Sequence, residues 1–496
     1  MKKLEYNITR FDGGMTDNIR QNDLSKCAFV SHFDIYADPN RLIPMPGYVD
    51  DMHDGSTATG MKQYDIRAFA YSNGLLYAVG NKADGTGSKN FEKNSPETAS
   101  WTATVTGEGT YDIYDKTFLR RVGSRRWYAT TNGGNTYISY WNPTVTDAAA
   151  TLETFVIDDK LIVEHAFDDN VYINTGTDDA VRINTTSVTD PAKDTAIYIN
   201  DIHSGDEQIG LFGHRFYPFR AQLLLWDSAS SLADQKIEFG KGRGTVLGNP
   251  AGVWVGVVNE NVTETGGPFD EEANGDYAFS IKYAAAGGAR TLFRMTAPTN
   301  SNGVLMPTRA SYKGAMLFYG RIPQDETPTT YKQGIFAVGK TRENSPLAVS
   351  LLLDTTSLGL VENYYSFGHH HYFAHNEDGS ISRLDTPTGT YDVTAVYETL
   401  MFGSSSPHEK QLGGISVHTE DLPASATVTV KYRTDEHDDW TELGSSAVDG
   451  TQIHSFTSDT LGSFQEIQFR VEVLGNAPVK NVYICLNELD TTPYDA

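Results

Sequence analysis

From about residue 67 to residue 398 the chain repeats one unit: an apolar run, a tight polar turn, and a second run rich in Tyr, Phe or Trp. The clearest copy joins residues 68–71 to residues 75–79 through Asn73-Gly74, a dipeptide suited to a two-residue hairpin. Further copies open near Thr117, Leu161, Ile209, Gly252, Arg309 and Val361, so that openings fall 43 to 57 residues apart. Four short antiparallel strands with their turns occupy about 40–50 residues, which is the length of one β-propeller blade. Seven openings therefore predict a six- or seven-bladed β-propeller. Separate sandwiches would need ~100 residues each and linkers between them. No Pro-, Gly- or Ser-rich linker interrupts this stretch.

Helix-period patterns are nearly missing elsewhere too, which predicts an all-β chain. One short helical turn is expected within residues 23–36, where Asp23 is placed to cap Leu24, Ala28 and Ser31. Beyond residue 398 the pattern changes to regularly spaced strands. In the fourth of these Ile467, Phe469, Val471 and Val473 alternate with Gln468, Arg470 and Glu472, so one face packs and the other meets water. The expected division is an extended N-terminal arm over residues 1–60 that closes onto the propeller, the propeller over 61–398, and a β-sandwich domain over 399–496.

Charge and cysteine content narrow the function. Lys and Arg number 39 against 64 Asp and Glu, a formal net charge of −25. Such a surface repels phosphates, which disfavours tight sequence-independent nucleic-acid binding. The acidity is concentrated at the C-terminus, where residues 399–496 hold 5 Lys and Arg against 15 Asp and Glu. Cys27 and Cys485 lie outside any CxxC pattern and build neither a disulfide framework nor a zinc ribbon. No apolar run follows Lys2-Lys3 and no run of ~18 apolar residues occurs anywhere, so neither a secretory signal nor a membrane span is expected.

The stretch Arg10-Phe11-Asp12-Gly13-Gly14-Met15-Thr16-Asp17 is followed by Leu24, Ala28, Asp34-Ile35-Tyr36 and then Arg41-Leu42-Ile43-Pro44-Met45-Pro46-Gly47-Tyr48. It resembles the opening segment of tailed-bacteriophage tail and tail-adaptor structural proteins built on β-propellers, with their F-x-G-G-x-x-T-D stretch, here with Met15 alone between the glycines and Thr16-Asp17. Val428-Thr429-Val430-Lys431-Tyr432-Arg433-Thr434-Asp435, Trp440-Thr441-Glu442-Leu443-Gly444 and residues 464–470 look like the C-terminal sandwich of the same virion proteins. The two matching ends cover roughly 50 and 90 residues. The resemblance implies a virion structural protein, a tail or portal-proximal tail component. It would assemble in the host cytoplasm as several copies in a ring, with other virion structural proteins as partners. An acidic lumen would form a non-adhesive DNA conduit, though the same charge also serves plain solubility.

Assembly contacts are expected through buried aromatics and shape rather than through a reacting group. The candidates are Phe11 and Met15 with Tyr6 and Ile19 in the arm, Tyr364 and Tyr365 in an aromatic run, and Arg125 and Arg126 in the basic cluster they form with Arg120 and Arg121. Ordinary core packing competes for the aromatics, and a solvated hairpin tip for the arginines. His369, His370, His371 and His375 raise the thought of a transition metal, with His369, His371 and His375 on one strand face. The acid-rich loops at 168–169, 178–179, 270–272 and 435–439 lack the calcium-loop pattern. Residues 376–380 approach a sialidase box without its closing Thr-Trp, and Gly240-Lys241-Gly242-Arg243-Gly244 lacks the Lys-Ser or Lys-Thr of a phosphate loop. No enzyme activity, cofactor, metal or small-molecule substrate is therefore expected. The rival function is a receptor- or carbohydrate-binding propeller at the tail tip, where exposed aromatics stack on sugars.

Overall fold

The computed structural model describes residues 2–51 and 331–489 apart from 360, 368, 376–379 and 405. Between these two stretches it describes the strands of residues 64–323 with some of their connections; within 104–250 that means strand backbone, and of the side chains Phe239 alone. The described chain is all-β. Its one named helical element is the 3-10 turn Thr356–Leu358. No helix among the described residues is long and apolar enough to cross a membrane.

Among the described residues, seven antiparallel sheets follow one another along 64–384. The first runs up and down through Tyr64–Ser72, Leu75–Lys82, Ser88–Lys93 and Thr102–Ala103. Its first hairpin turns at Gly74, whose φ of 79° is the left-handed conformation that glycine adopts freely. The next five span residues 112–155, 164–198, 208–241, 243–296 and 305–354. The seventh holds Val361–Phe367, His370–His375 and Ser380–Leu384, and its fourth strand is Tyr48–Asp50 from the N-terminal segment. Sheet packs on sheet along the series. Leu119–Val122 of the second lies against Tyr64–Ser72 of the first, and Arg243–Gly248 of the fifth touches both the fourth and the sixth. Val361–Phe367 of the seventh packs against Leu305–Tyr312 of the sixth and against Tyr64–Ser72 of the first.

The C-terminal strands form two further layers. Lys2–Ile8, Val479–Glu488, Lys410–Thr419 and Ile453–Phe456 make one sheet. Ala395–Glu398, Gln468–Leu474, Thr427–Arg433 and Thr441–Ser446 continue the sixth sheet, through Phe29–Ser31, into nine strands. The inward residues of both layers, Val428, Val471 and Val473 from one and Val417, Val482 and Ile484 from the other, belong to one buried cluster. Period-2 alternation accounts for this: Ile467, Phe469, Val471 and Val473 are all fully buried. In Ala348–Asp354 the alternation vanishes and every residue is buried, as expected of a strand covered on both faces.

Residues 2–51 are shared among the other sheets. Lys2–Ile8 pairs with Val479–Glu488, Phe29–Ser31 sits between Ala348–Asp354 and Ala395–Glu398, and Tyr48–Asp50 completes the seventh sheet. The helical turn expected within residues 23–36 is corrected. Asp23 Oδ1 accepts from the Ser25 N–H and hydroxyl, a local turn that competes with helix, and Lys26–Cys27, Phe29–Ser31 and Phe33–Asp34 follow as strands. Sheet neighbours on both sides of Phe29–Ser31 outweigh the weak helical pattern.

Candidate functional site at the seam of the first and seventh sheets

The seventh sheet buries both faces, and the strand His370–His375 shows how. Tyr372 and Ala374 join Tyr64, Ile66, Phe69, Leu76, Phe91 and Trp101 of the first-sheet region in a cluster separate from the main core. On the opposite face Phe373 belongs to the main core, and the His371 ring lies 5.6 Å from that of Tyr312 in the sixth sheet. Two residues per period thus serve two neighbours.

At the inner end of this seam lies a buried ionic latch. Asp51 follows the strand Tyr48–Asp50, and its N–H donates to Ile381 O at 2.9 Å. Its carboxylate accepts from Lys93 Nζ at 2.5 Å and Arg383 Nε at 3.1 Å on Oδ1, and from Trp101 Nε1 at 3.0 Å on Oδ2. Lys93 and Trp101 belong to the first-sheet region and Arg383 to the seventh sheet, so one carboxylate ties the two together. The Lys93 side chain is 1% exposed and lies 5.6 Å and 5.8 Å from the ring centroids of Tyr372 and Trp101. Burial raises the Asp51 carboxyl and lowers the Lys93 ammonium from their ordinary values, and their mutual pairing opposes both shifts.

Toward solvent the seam carries an aromatic ladder. Tyr71 and Phe367 stack with centroids 4.0 Å apart and planes at 6°. Phe367 continues to His370 at 5.0 Å, and His370 to His369 at 3.9 Å. Tyr365 lies 5.9 Å from Phe367, and its hydroxyl accepts from the Tyr71 N–H at 2.8 Å. Tyr71 and His369 are the exposed ends.

The four histidines do not gather. His369 sits in the turn before the strand, which corrects the expected shared face. His371 is fully buried, with Nδ1 2.8 Å from the Tyr364 hydroxyl and Nε2 without a hydrogen-bond partner. Burial first, then the nearby His370 and His369, lowers it to about 3. His375 Nε2 pairs with Ser382 Oγ at 2.9 Å. Among the described residues no group of His, Cys, Asp and Glu could hold a metal ion.

The expected assembly residues fall elsewhere. Phe11 and Met15 are buried in the main core, with Phe11 edge-on to Tyr397 at 5.4 Å, and Tyr364 is buried beside Phe373. Apolar burial uses these side chains inside the chain, so they present no surface to another copy. Tyr365 is half-buried in the ladder. Arg125 and Arg126 open the strand Arg125–Asn132, which pairs with Leu119–Val122 in a hairpin; their side chains lie outside the described residues, as do the acidic loops at 168–169 and 270–272 and residues 376–379.

Sequence reasoning missed the latch and two related fasteners. Asp34 is buried and accepts from the Tyr36 and Ala37 N–H groups, from the Tyr312 hydroxyl at 2.7 Å and from Lys313 Nζ at 2.7 Å. Lys410 is fully buried, and its ammonium donates to the carbonyls of Ser406, His408 and Gln465 at 2.9, 2.6 and 2.9 Å. In the same C-terminal unit the Trp440 ring meets two guanidinium groups, Arg433 at 4.5 Å and Arg470 at 4.4 Å.

No family model matches the sequence, and no curated protein matches it. Among solved structures, one described as a glycoside hydrolase is 10% identical with a TM-score of 0.29, covering 86% of this chain and 98% of that one. The Dos1 propeller is 9% identical with a TM-score of 0.37, covering 69% and 94%. A puromycin-hydrolysing peptidase of Mycobacterium tuberculosis is 9% identical with a TM-score of 0.35, covering 72% and 61%. At scores this low none of the three bears on the fold or activity of this chain.

Proposed function

We propose that the seven sheets are blades of a β-propeller, that the two C-terminal layers are a β-sandwich, and that the protein is an architectural component of a tailed-phage virion. It works as several copies in a ring in the tail, assembled in the host cytoplasm beside other virion structural proteins. The propeller reading is supported by the return of packing from the seventh sheet to the first, and by the N-terminal strand that completes the last sheet.

The observation that carries the functional reading is the meeting of the two ends that resemble phage tail proteins. Arg20, in the opening segment, donates to Glu466 at 3.0 Å and to Glu436 at 3.2 Å, more than 400 residues away. Leu42 exchanges both backbone hydrogen bonds with Val479 at 2.9 Å. Two segments matched independently along the sequence form one body. Buried ionisable groups act as fasteners across the chain: Asp51 paired with Lys93, Asp34 held by the exposed Lys313, and Lys410 on three carbonyls. Light scattering of the purified protein across a concentration series tests the reading: it predicts a discrete multiple of the 54.6 kDa chain mass, and a monomer throughout would contradict it.

A second reading, a carbohydrate-binding propeller at the tail tip, is favoured by the aromatic ladder that ends at Tyr71 and His369. Glycan-array binding that Tyr71→Ala abolishes would select it over the purely architectural role.

A further inference from the structure

Lys2–Ile8 is an edge strand of its sheet, and among the described strands it pairs with Val479–Glu488. Of its seven residues only Ile8 is buried, and Lys2, Lys3, Glu5 and Asn7 are exposed. Thr9 and Arg10 are exposed as well. The chain is fixed again at Phe11, which is buried and whose N–H donates to Pro39 O at 2.8 Å. The strand is therefore joined to the body through a two-residue exposed hinge. Leu4 and Tyr6 lean on the main core, the Tyr6 ring 4.6 Å from that of Phe402, and the polar side-chain contacts to the neighbouring strand are a pair between exposed Lys2 and buried Glu488 at 4.0 Å, a Glu5–Tyr483 hydrogen bond and an Asn481–Asn7 hydrogen bond of 2.7 Å.

The strand it covers has the opposite character. Val482, Ile484 and Leu486 are fully buried, so Val479–Glu488 is fixed in the core, and without a partner its outer backbone groups would face water as an open edge. The surroundings are also acidic, with 15 Asp and Glu against 5 Lys and Arg over residues 399–496, while the strand opens with Lys2-Lys3.

We infer that Lys2–Ile8 is exchanged between neighbouring copies, the strand of one chain pairing with Val479–Glu488 of the next. This rests on the multi-copy reading above. The exchanged strand makes the same antiparallel register as the unexchanged one, so its hydrogen bonds and side-chain contacts are conserved. The balance is then set by the hinge and by the local concentration of copies, which ring assembly raises. Head-to-tail exchange links a closed ring without any new surface.

Glu5 stands directly opposite Cys485 in this register, which supplies the test. One chain carries Glu5→Cys together with Cys485→Ser and a second is native, so a disulfide between positions 5 and 485 can form only between copies; Cys27 is buried and stays silent. The two are co-expressed, assembled and oxidised. Exchange predicts a non-reducing band at twice the chain mass, lost on reduction and absent when either chain is treated alone. A chain with Glu5→Cys and its own Cys485 reports whether the geometry closes within one copy. A second pair, Lys3→Cys in one chain and Asn487→Cys in the other, both with Cys485→Ser, repeats the measurement at the next opposed position but one. Assembled rings that give only the within-chain crosslink overturn the exchange and leave the ring reading standing. A monomer at every concentration overturns both.

Discussion

Asp51 Oδ1 lies 2.5 Å from Lys93 Nζ, joining the segment that completes the seventh sheet to the third strand of the first. Arg383 and Trp101 share the same carboxylate, so a single buried anion holds two sheets and the N-terminal segment in register. A buried charge left without its partner costs far more than the pair contributes.

Asp51→Ala leaves Lys93 buried against Trp101 and Tyr372 with no counter-ion, and is expected to cost about 3–5 kcal/mol of unfolding free energy. The double variant Asp51→Ala with Lys93→Met removes both charges and should cost less than the two single changes, Asp51→Ala and Lys93→Met, added together. Urea denaturation of the four proteins gives the coupling. Simple additivity would mean that the two side chains act independently.

Gly14 has φ of 66°, and a Cβ there would stand 2.6 Å from the backbone nitrogen of Val349. Gly14→Ala therefore strains the backbone by about 1–3 kcal/mol before any clash is relieved. Because Gly14 packs the opening segment onto Ala348–Asp354, the loss should appear as a lower denaturation midpoint with an unchanged slope.

His371 in the folded chain titrates at about 3, against an ordinary value of 6.5. The unfolded chain takes up its proton first as pH falls, so this contribution to stability is complete above pH 6.5 and is lost between 6.5 and about 3. Its share of the loss should reach about 2 kcal/mol by pH 5. Denaturation curves of the native protein and of His371→Gln across this range test it: the variant's stability should fall less steeply with acidification. Parallel profiles would mean that His371 is not the group responsible.

Phe11→Ala separates core from contact. Phe11 is 2% exposed and packs edge-on against Tyr397, so the truncation should cost about 3–5 kcal/mol. Where the variant remains folded its assembly mass should match that of the native protein. A changed mass at unchanged stability would return Phe11 to the role of a contact between copies.

Local strand signals were legible in the sequence because they depend on neighbours along the chain. Gly74 marks a tight turn, and Ile467 to Val473 alternate strictly, so hairpins and the C-terminal layers could be read directly. The distribution of residues 2–51 over several sheets could not. Each of those pairings spans hundreds of residues, as between Ser31 and Leu351 or Asp50 and Ser382, and leaves no periodic trace. Phe11 and Met15 looked like arm residues for the same reason, since their partners are remote in sequence. Asp51 follows Asp50 and reads as one more surface acid in a chain with 64 of them. Its signal was the lysine that ends Ser88–Lys93, and only the folded seam pairs the two.

The proposed virion role is tested most directly by electron cryo-microscopy of tailed-phage particles assembled in cells that make this chain. The account predicts a ring of copies on the particle axis, each a wheel of seven sheets sealed where Tyr71 meets Phe367. An isolated single copy of this chain, absent from the particle and holding a small molecule in an open cleft, would contradict it.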